Sequence, residues 1–118
     1  MTPDDYRAIA LSLPEVLESA HMGHPDFRVG GKIFATLGSG PDWGVALLSP
    51  EAQAMFTEAE PKVFEPVPGG WGRRGSTRIR LSAVDPITLR SVLLAAWRKA
   101  APRRLVVALD GLPTGPAT

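Results

Sequence analysis

The side chains best placed to do chemistry in this 118-residue chain are arginines. Between Pro68 and Leu81 the sequence sets Trp71 among glycines, follows it with Arg73 and Arg74 in a flexible turn, and then places Arg78 and Arg80 two residues apart. Guanidinium groups match phosphate geometry through paired N–H donors, and a loop-borne tryptophan can stack or wedge. Four such cations within a short span make a candidate anion-contacting surface. A competing reading makes Trp71 a plug at the end of a sheet and leaves the arginines as a solvated strand face or as partners of the N-terminal acids. Both readings stand at the level of sequence.

Other constellations offer less. His21 and His24 are the only histidines, spaced as His-Met-Gly-His. Gly23 and Pro25 argue against a helix there, a strand sets that spacing on opposite faces, and no third ligand is marked, so the pair reads as structural and no metal is expected. Asp4, Asp5, Glu15 and Glu18 cluster near the start, where acids more often serve a helix dipole than a divalent cation. Gly69-Gly70-Trp71-Gly72 lacks a following Lys-Ser or Lys-Thr and precedes a strand, which argues against a nucleotide-binding P-loop. No Gly-x-Ser-x-Gly elbow occurs, and the absence of cysteine removes thiolate nucleophiles, disulfides and Cys-ligated metals. With no catalytic residues and no cofactor implied, a non-enzymatic protein is expected.

Composition sets the frame for those residues. At 44% hydrophobic the chain is rich enough to close one core. It has no run of 18 apolar residues, and its start, with two aspartates after Pro3, is unlike a signal peptide, so a soluble cytoplasmic protein with no membrane contact is expected. Net charge is only +1, but unevenly spread: residues 1–60 hold three basic side chains against nine acidic, and residues 61–118 ten against three. Either the halves present a basic and an acidic face, or they interleave and pair.

The elements that must position these residues follow from periodicity and punctuation. Thr2, Pro3 and Asp5 mark a helix start, and Tyr6, Ile9, Ala10 and Leu13 form its apolar face up to Pro14, which predicts a helix over 3–13. The helical period fades over 16–22. Phe27 and Val29 alternate with Arg28 before Gly30-Gly31, which supply the positive φ of a two-residue hairpin turn, and Lys32–Leu37 returns. Trp43–Leu48 reads as a strand of buried character, and Ser49-Pro50 opens a helix over 50–59. Val63 and Phe64 form at most a short edge strand, and the Gly/Pro-rich stretch after it reads as a structured loop or wide hairpin. Over Thr77–Ser82, Thr77, Ile79 and Leu81 face inward while Arg78 and Arg80 project together. Asp85 caps a helix whose buried stripe is Leu89, Val92, Leu93, Ala96, Trp97 and Ala100, and Pro102 starts a short last helix. The expected fold is α+β: a two-layer domain over 1–110, an antiparallel sheet with helices on one face, followed by a flexible tail over 111–118.

A resemblance adds to this reading. His24-Pro25-Asp26-Phe27-Arg28-Val29-Gly30-Gly31-Lys32-Ile33-Phe34-Ala35-Thr36-Leu37, then Gly69-Gly70-Trp71-Gly72, and the Trp97-Arg98 helix end before Ala101-Pro102-Arg103-Arg104-Leu105 together resemble the MmcQ/YjbR family of small bacterial proteins. The similarity runs from about Tyr6 to Leu109. It implies a frataxin-like, CyaY-like architecture and, because members are commonly labelled DNA-binding, a duplex gripped by two β-hairpin wings. Carried over by position, one wing is Phe27–Leu37 with Arg28 and Lys32. The other spans Val63–Leu81 with Trp71, Arg73, Arg74, Arg78 and Arg80. At +1 overall, only a local patch can make such a contact. The partner is then DNA; the alternative is a small anionic ligand or a protein partner, held in a pocket framed by Trp71 and the glycine loop and closed by His21 or His24.

Overall fold

Helix α1, Pro3–Leu11, opens the computed structural model, which describes residues 1–38 and 40–111. The Thr2 hydroxyl accepts from the Asp5 N–H at 3.1 Å while the Asp5 carboxylate accepts from the Thr2 N–H at 2.8 Å, a reciprocal capping box. The helix ends two residues before the predicted boundary, at C-cap Ser12, because Pro14 disfavours helical dihedrals at Leu13. Leu13 still packs into the core.

Strand β1, Leu17–His21, lies where the helical period faded. It pairs antiparallel with β2, His24–Val29, through a tight turn with positive φ at Met22 and Gly23. His21 and His24 are therefore Cα partners across the turn. Assigning them to opposite faces of one strand fails because the chain reverses between them. The hairpin from β2 to β3, Lys32–Leu37, forms as expected, with φ of 59° at Gly30 and 80° at Gly31. A register shift leaves Phe34 unopposed, so that both Phe34 and Ala35 are buried.

Strand β4, Trp43–Leu47, leads into α2, Pro50–Ala59, capped by the Ser49 hydroxyl. Edge strand β5, Phe64–Pro66, is followed by a single helical turn, α3, Gly70–Arg73, and by β6, Ser76–Arg80. Helix α4, Pro86–Ala100, and helix α5, Arg103–Gly111, complete the chain. The tail expected over 111–118 lies, apart from Gly111, outside the described residues. The six strands run β1-β2-β3-β4-β6-β5, each pair antiparallel. Helices α1 and α4 lie against the sheet's centre, closing a core of Tyr6, Phe27, Phe34, Ile79, Leu93 and Trp97 among others. This is the expected α+β layering, an antiparallel sheet with helices on one face.

Which face is covered is set by close approach at Gly44. A Cβ there would collide with the fully buried Tyr6 ring, whose hydroxyl donates to the Val45 carbonyl at 3.1 Å. On β4 the small residues Gly44 and Ala46 therefore face the helices, and Trp43, Val45 and Leu47 take the other side, half-buried.

Two outcomes follow. Gly44→Ala forces Tyr6 from its site and is expected to destabilise by about 1–3 kcal/mol in urea denaturation, the usual cost of overpacking; an unchanged midpoint contradicts the packing. The Asp85 carboxylate is held below its ordinary pKa chiefly by the Thr88 N–H at 2.7 Å. Because its folded pKa is depressed, its stabilisation is full above the unfolded value of about 3.9 and is lost as pH falls through the folded value. The Asp85→Ala penalty should therefore be present at neutral pH and shrink on acidification below about pH 4, read as the difference in urea midpoints.

Candidate anion-contacting site

Strand β6 places Arg78 and Arg80 on the face left open by the helices, since Thr77 and Ile79, which alternate with them, are buried. Register then puts Arg80 opposite Trp43 and Arg78 opposite Val45 on one side and Glu65 on the other. Both guanidiniums lie over the Trp43 ring, 4.6 Å from its centroid for Arg78 and 4.4 Å for Arg80. A cation over an indole face is attracted by the ring quadrupole, and here one ring orders two charges. Among the described residues, Glu65 is the sole carboxylate within ion-pairing distance of either, at 3.6 Å from Arg78 and 4.0 Å from Arg80. Two cations share one anion at long range, so the group keeps a net positive charge.

The connection before β6 is built, not slack. The Val67 N–H donates to the Ser76 carbonyl at 2.9 Å, and the Gln53 amide of α2 donates to the Gly72 and Ser76 carbonyls at 2.9 and 3.1 Å. Gly75 adopts φ 117° and has no room for a Cβ beside the Leu48 carbonyl; Gly72 has none beside that of Val67. These constraints correct the flexible turn expected from glycine content. They hold Trp71 outward at 65% exposure, with the Arg74 guanidinium 5.5 Å from its ring centroid. Trp71 thus does not plug the sheet. Among the described residues, Arg73 and Arg74 have no carboxylate partner. The four arginines do not converge on one point. Arg73 and Arg74 precede β6 and Arg80 ends it, with the strand itself, Ser76–Arg80, about 13 Å long at a strand's rise per residue.

The first hairpin contributes differently. Arg28 is clamped by Asp26, with Nε to Oδ1 at 2.9 Å and Nη2 to Oδ2 at 3.2 Å, and Asp26 is 1% exposed. That hydrogen bonding, and then the carboxylate charge, raises the Arg28 pKa above its ordinary value. Lys32 is exposed, but it pairs with buried Val29 and so belongs to the helix-side rim of the hairpin. The Gly30 turn lies against Pro102, where a Cβ would clash with the proline ring. Strands β2 and β3 are thus internal to the sheet, and β4 separates them from β6.

The remaining candidates separate in the same way. His24 lines a depression of about 340 Å³ with Met22, Asp26, Ile33, Thr36 and Leu37. It lies across β3 and β4 from the Trp71 turn and does not close a pocket there. The N-terminal acids are committed elsewhere: Asp5 to the cap, Asp4 and Glu18 to Arg7, and Glu15 to Arg104 at 3.2 Å. No group of three or more His, Cys, Asp or Glu gathers as a metal site among the described residues.

Three residues that matter at this site were not singled out in the sequence: Trp43, Glu65 and Lys99. Trp43 had a signal, the alternation Trp-Gly-Val-Ala-Leu, in which the small residues mark the crowded side. Lys99 joins Trp71, Arg74, Leu47, Leu48 and Ser76 around a cleft of about 170 Å³ at the sheet's end.

The contrast between the clamped and the lightly paired arginines is testable. Arg28→Ala strands a buried carboxylate, so its urea midpoint should fall further than that of Arg80→Ala, which removes a half-exposed side chain. Equal midpoints would contradict this placement.

The family model described as YjbR matches residues 11–99. Among solved structures, the crystal structure of Deinococcus radiodurans protein DR2400, a DUF419 domain, is similar with a TM-score of 0.66 at 21% identity, covering 94% of this chain and 81% of that one. At that identity the likeness shows the fold alone. No curated protein matches the sequence.

Proposed function

This chain belongs to the YjbR family, and on that premise we propose that it binds DNA without catalysing a reaction on it, holding phosphates along β6 with Arg73, Arg74, Arg78 and Arg80. The observation that carries the reading is the pair of guanidiniums ordered over Trp43, 4.6 and 4.4 Å from its ring centroid, with a single carboxylate shared at 3.6 and 4.0 Å. Ordered, partly exposed guanidiniums lose little further entropy on meeting a phosphate and present a fork that fits it. Trp71, exposed and backed by Arg74, adds a stacking surface at the other end of the strand. The contact is a single stripe and not two wings, because Arg28 is spent on Asp26 and Lys32 belongs to the helix-side rim. A stripe of this kind also accommodates the low net charge of +1.

Four phosphate contacts predict that log K falls by about 3 to 4 per tenfold rise in salt. Fluorescence anisotropy with labelled duplex and single-stranded DNA at low salt reads this directly. The Arg73→Glu/Arg74→Glu and Arg78→Glu/Arg80→Glu pairs should each flatten that slope by about two, with helical circular dichroism confirming the fold. No binding of either DNA at low salt would end the proposal.

A second reading rests on the cleft at the sheet's end, where Arg74 and Lys99 flank Trp71 with no carboxylate partner among the described residues. It fits a small anion. Inorganic phosphate should then raise the melting temperature of the wild type and not of Lys99→Ala; no rise in the wild type discards it.

A further inference from the structure

Beside the arginine stripe, on the open face, lies a depression of about 400 Å³ lined by Gly38, Gly40, Asp42, Trp43, Val45 and Arg78. Its volume falls within the range of small-ligand sites, and its polar groups are few and of opposite kind. Asp42 is exposed, and among the described residues its carboxylate has no ion pair or hydrogen bond; only its backbone is engaged, its carbonyl accepting from the Leu81 N–H at 2.9 Å. Arg78 lines the same depression as a two-pronged donor, ordered over Trp43 and only lightly held by Glu65 at 3.6 Å. A ligand filling this depression therefore meets both an acceptor-only carboxylate and a donor-only guanidinium, with Val45 as apolar lining.

We infer that this depression takes an unpaired guanine. A carboxylate accepts two hydrogen bonds from a base only where two donors are adjacent, and guanine N1–H and N2–H2 are such a pair. Adenine offers one donor beside an acceptor on that edge, as does cytosine, and thymine sets its single N–H between two carbonyls. Guanine's other edge, O6 and N7, is the acceptor pair that an arginine fork reads. One base thus satisfies Asp42 and Arg78 together, and its use of the pairing edge requires that it be single-stranded or a free nucleotide. The inference rests on the phosphate-binding reading for a guanine carried in DNA, because the other arginines of the stripe then hold the neighbouring backbone while Arg78 turns to the base; for a free guanine nucleotide it stands without it.

The test compares the full chain's affinity for a short single-stranded thymidine oligomer carrying one central guanine with that for the same oligomer carrying adenine or cytosine there. A parallel arm titrates guanosine monophosphate against adenosine monophosphate. The guanine strand should bind about tenfold or more tightly, the discrimination of one bidentate pair. Asp42→Asn, which replaces one acceptor with a donor, should bring that ratio to about one, and Arg78→Lys, which keeps the charge and loses the fork, should reduce it. Equal affinity for all the oligomers overturns the guanine inference and leaves DNA binding standing. Preference for guanosine monophosphate without oligomer binding supports the guanine site and overturns DNA binding. Failure of every ligand overturns both, and a guanine preference that survives Asp42→Asn overturns the assignment to this depression.

Discussion

The seating of Tyr6 beneath Gly44 is the constraint on which the open face depends. A fully buried phenol against a residue with no side chain leaves β4 one allowed orientation: its small residues toward the helices, Trp43 away from them. The hydroxyl's bond to the Val45 carbonyl satisfies the one polar atom this burial hides, and burial drives the phenol's pKa upward, so it stays a neutral donor at any physiological pH. A one-residue slip of β4 would bury the indole, strip Arg78 and Arg80 of their support and fill the core side with Trp43. Core packing and surface chemistry are thus two consequences of one register.

Charge is distributed by a similar economy. The acidic first half and basic second half meet, among the described residues, through a single ion pair, Glu15 with Arg104 at 3.2 Å. Asp26 holds Arg28 and Arg7 is shared by Asp4 and Glu18 within the first half, while Arg98 and Asp110 pair within the second. Both of the opposed expectations, separate faces and full interleaving, are therefore met in part. What remains lightly compensated is the stripe from Arg73 to Arg80 with Lys99 nearby, which is where an anion has most to gain.

The sequence resolved those features that are local. Thr2, Ser49 and Asp85 cap the helices they were read to cap, Gly30-Gly31 makes the predicted turn, and the alternation across β6 sends Arg78 and Arg80 to one side together. Each rests on interactions within a few residues, where side-chain chemistry and backbone dihedrals decide the outcome. Strand β1 escaped detection because it is an edge strand carrying polar residues without alternation, so its identity comes from pairing with β2 and not from its own pattern. The helical turn of α3 is not legible because Gly72 within it and Gly75 just after it are dictated by the Val67 and Leu48 carbonyls, contacts made only in the fold.

The same division separates the candidate residues. Residue type and spacing singled out Trp71, Arg73, Arg74, Arg78 and Arg80 as groups that can contact an anion, and the family resemblance added Arg28 and Lys32. Tertiary structure decided which are free to do so, because availability depends on partners distant in sequence. Asp26 occupies Arg28 within one strand, but Trp43 and Glu65, which order Arg78 and Arg80, reach them only through strand pairing. An arginine's chemistry belongs to its side chain; its freedom belongs to the sheet around it.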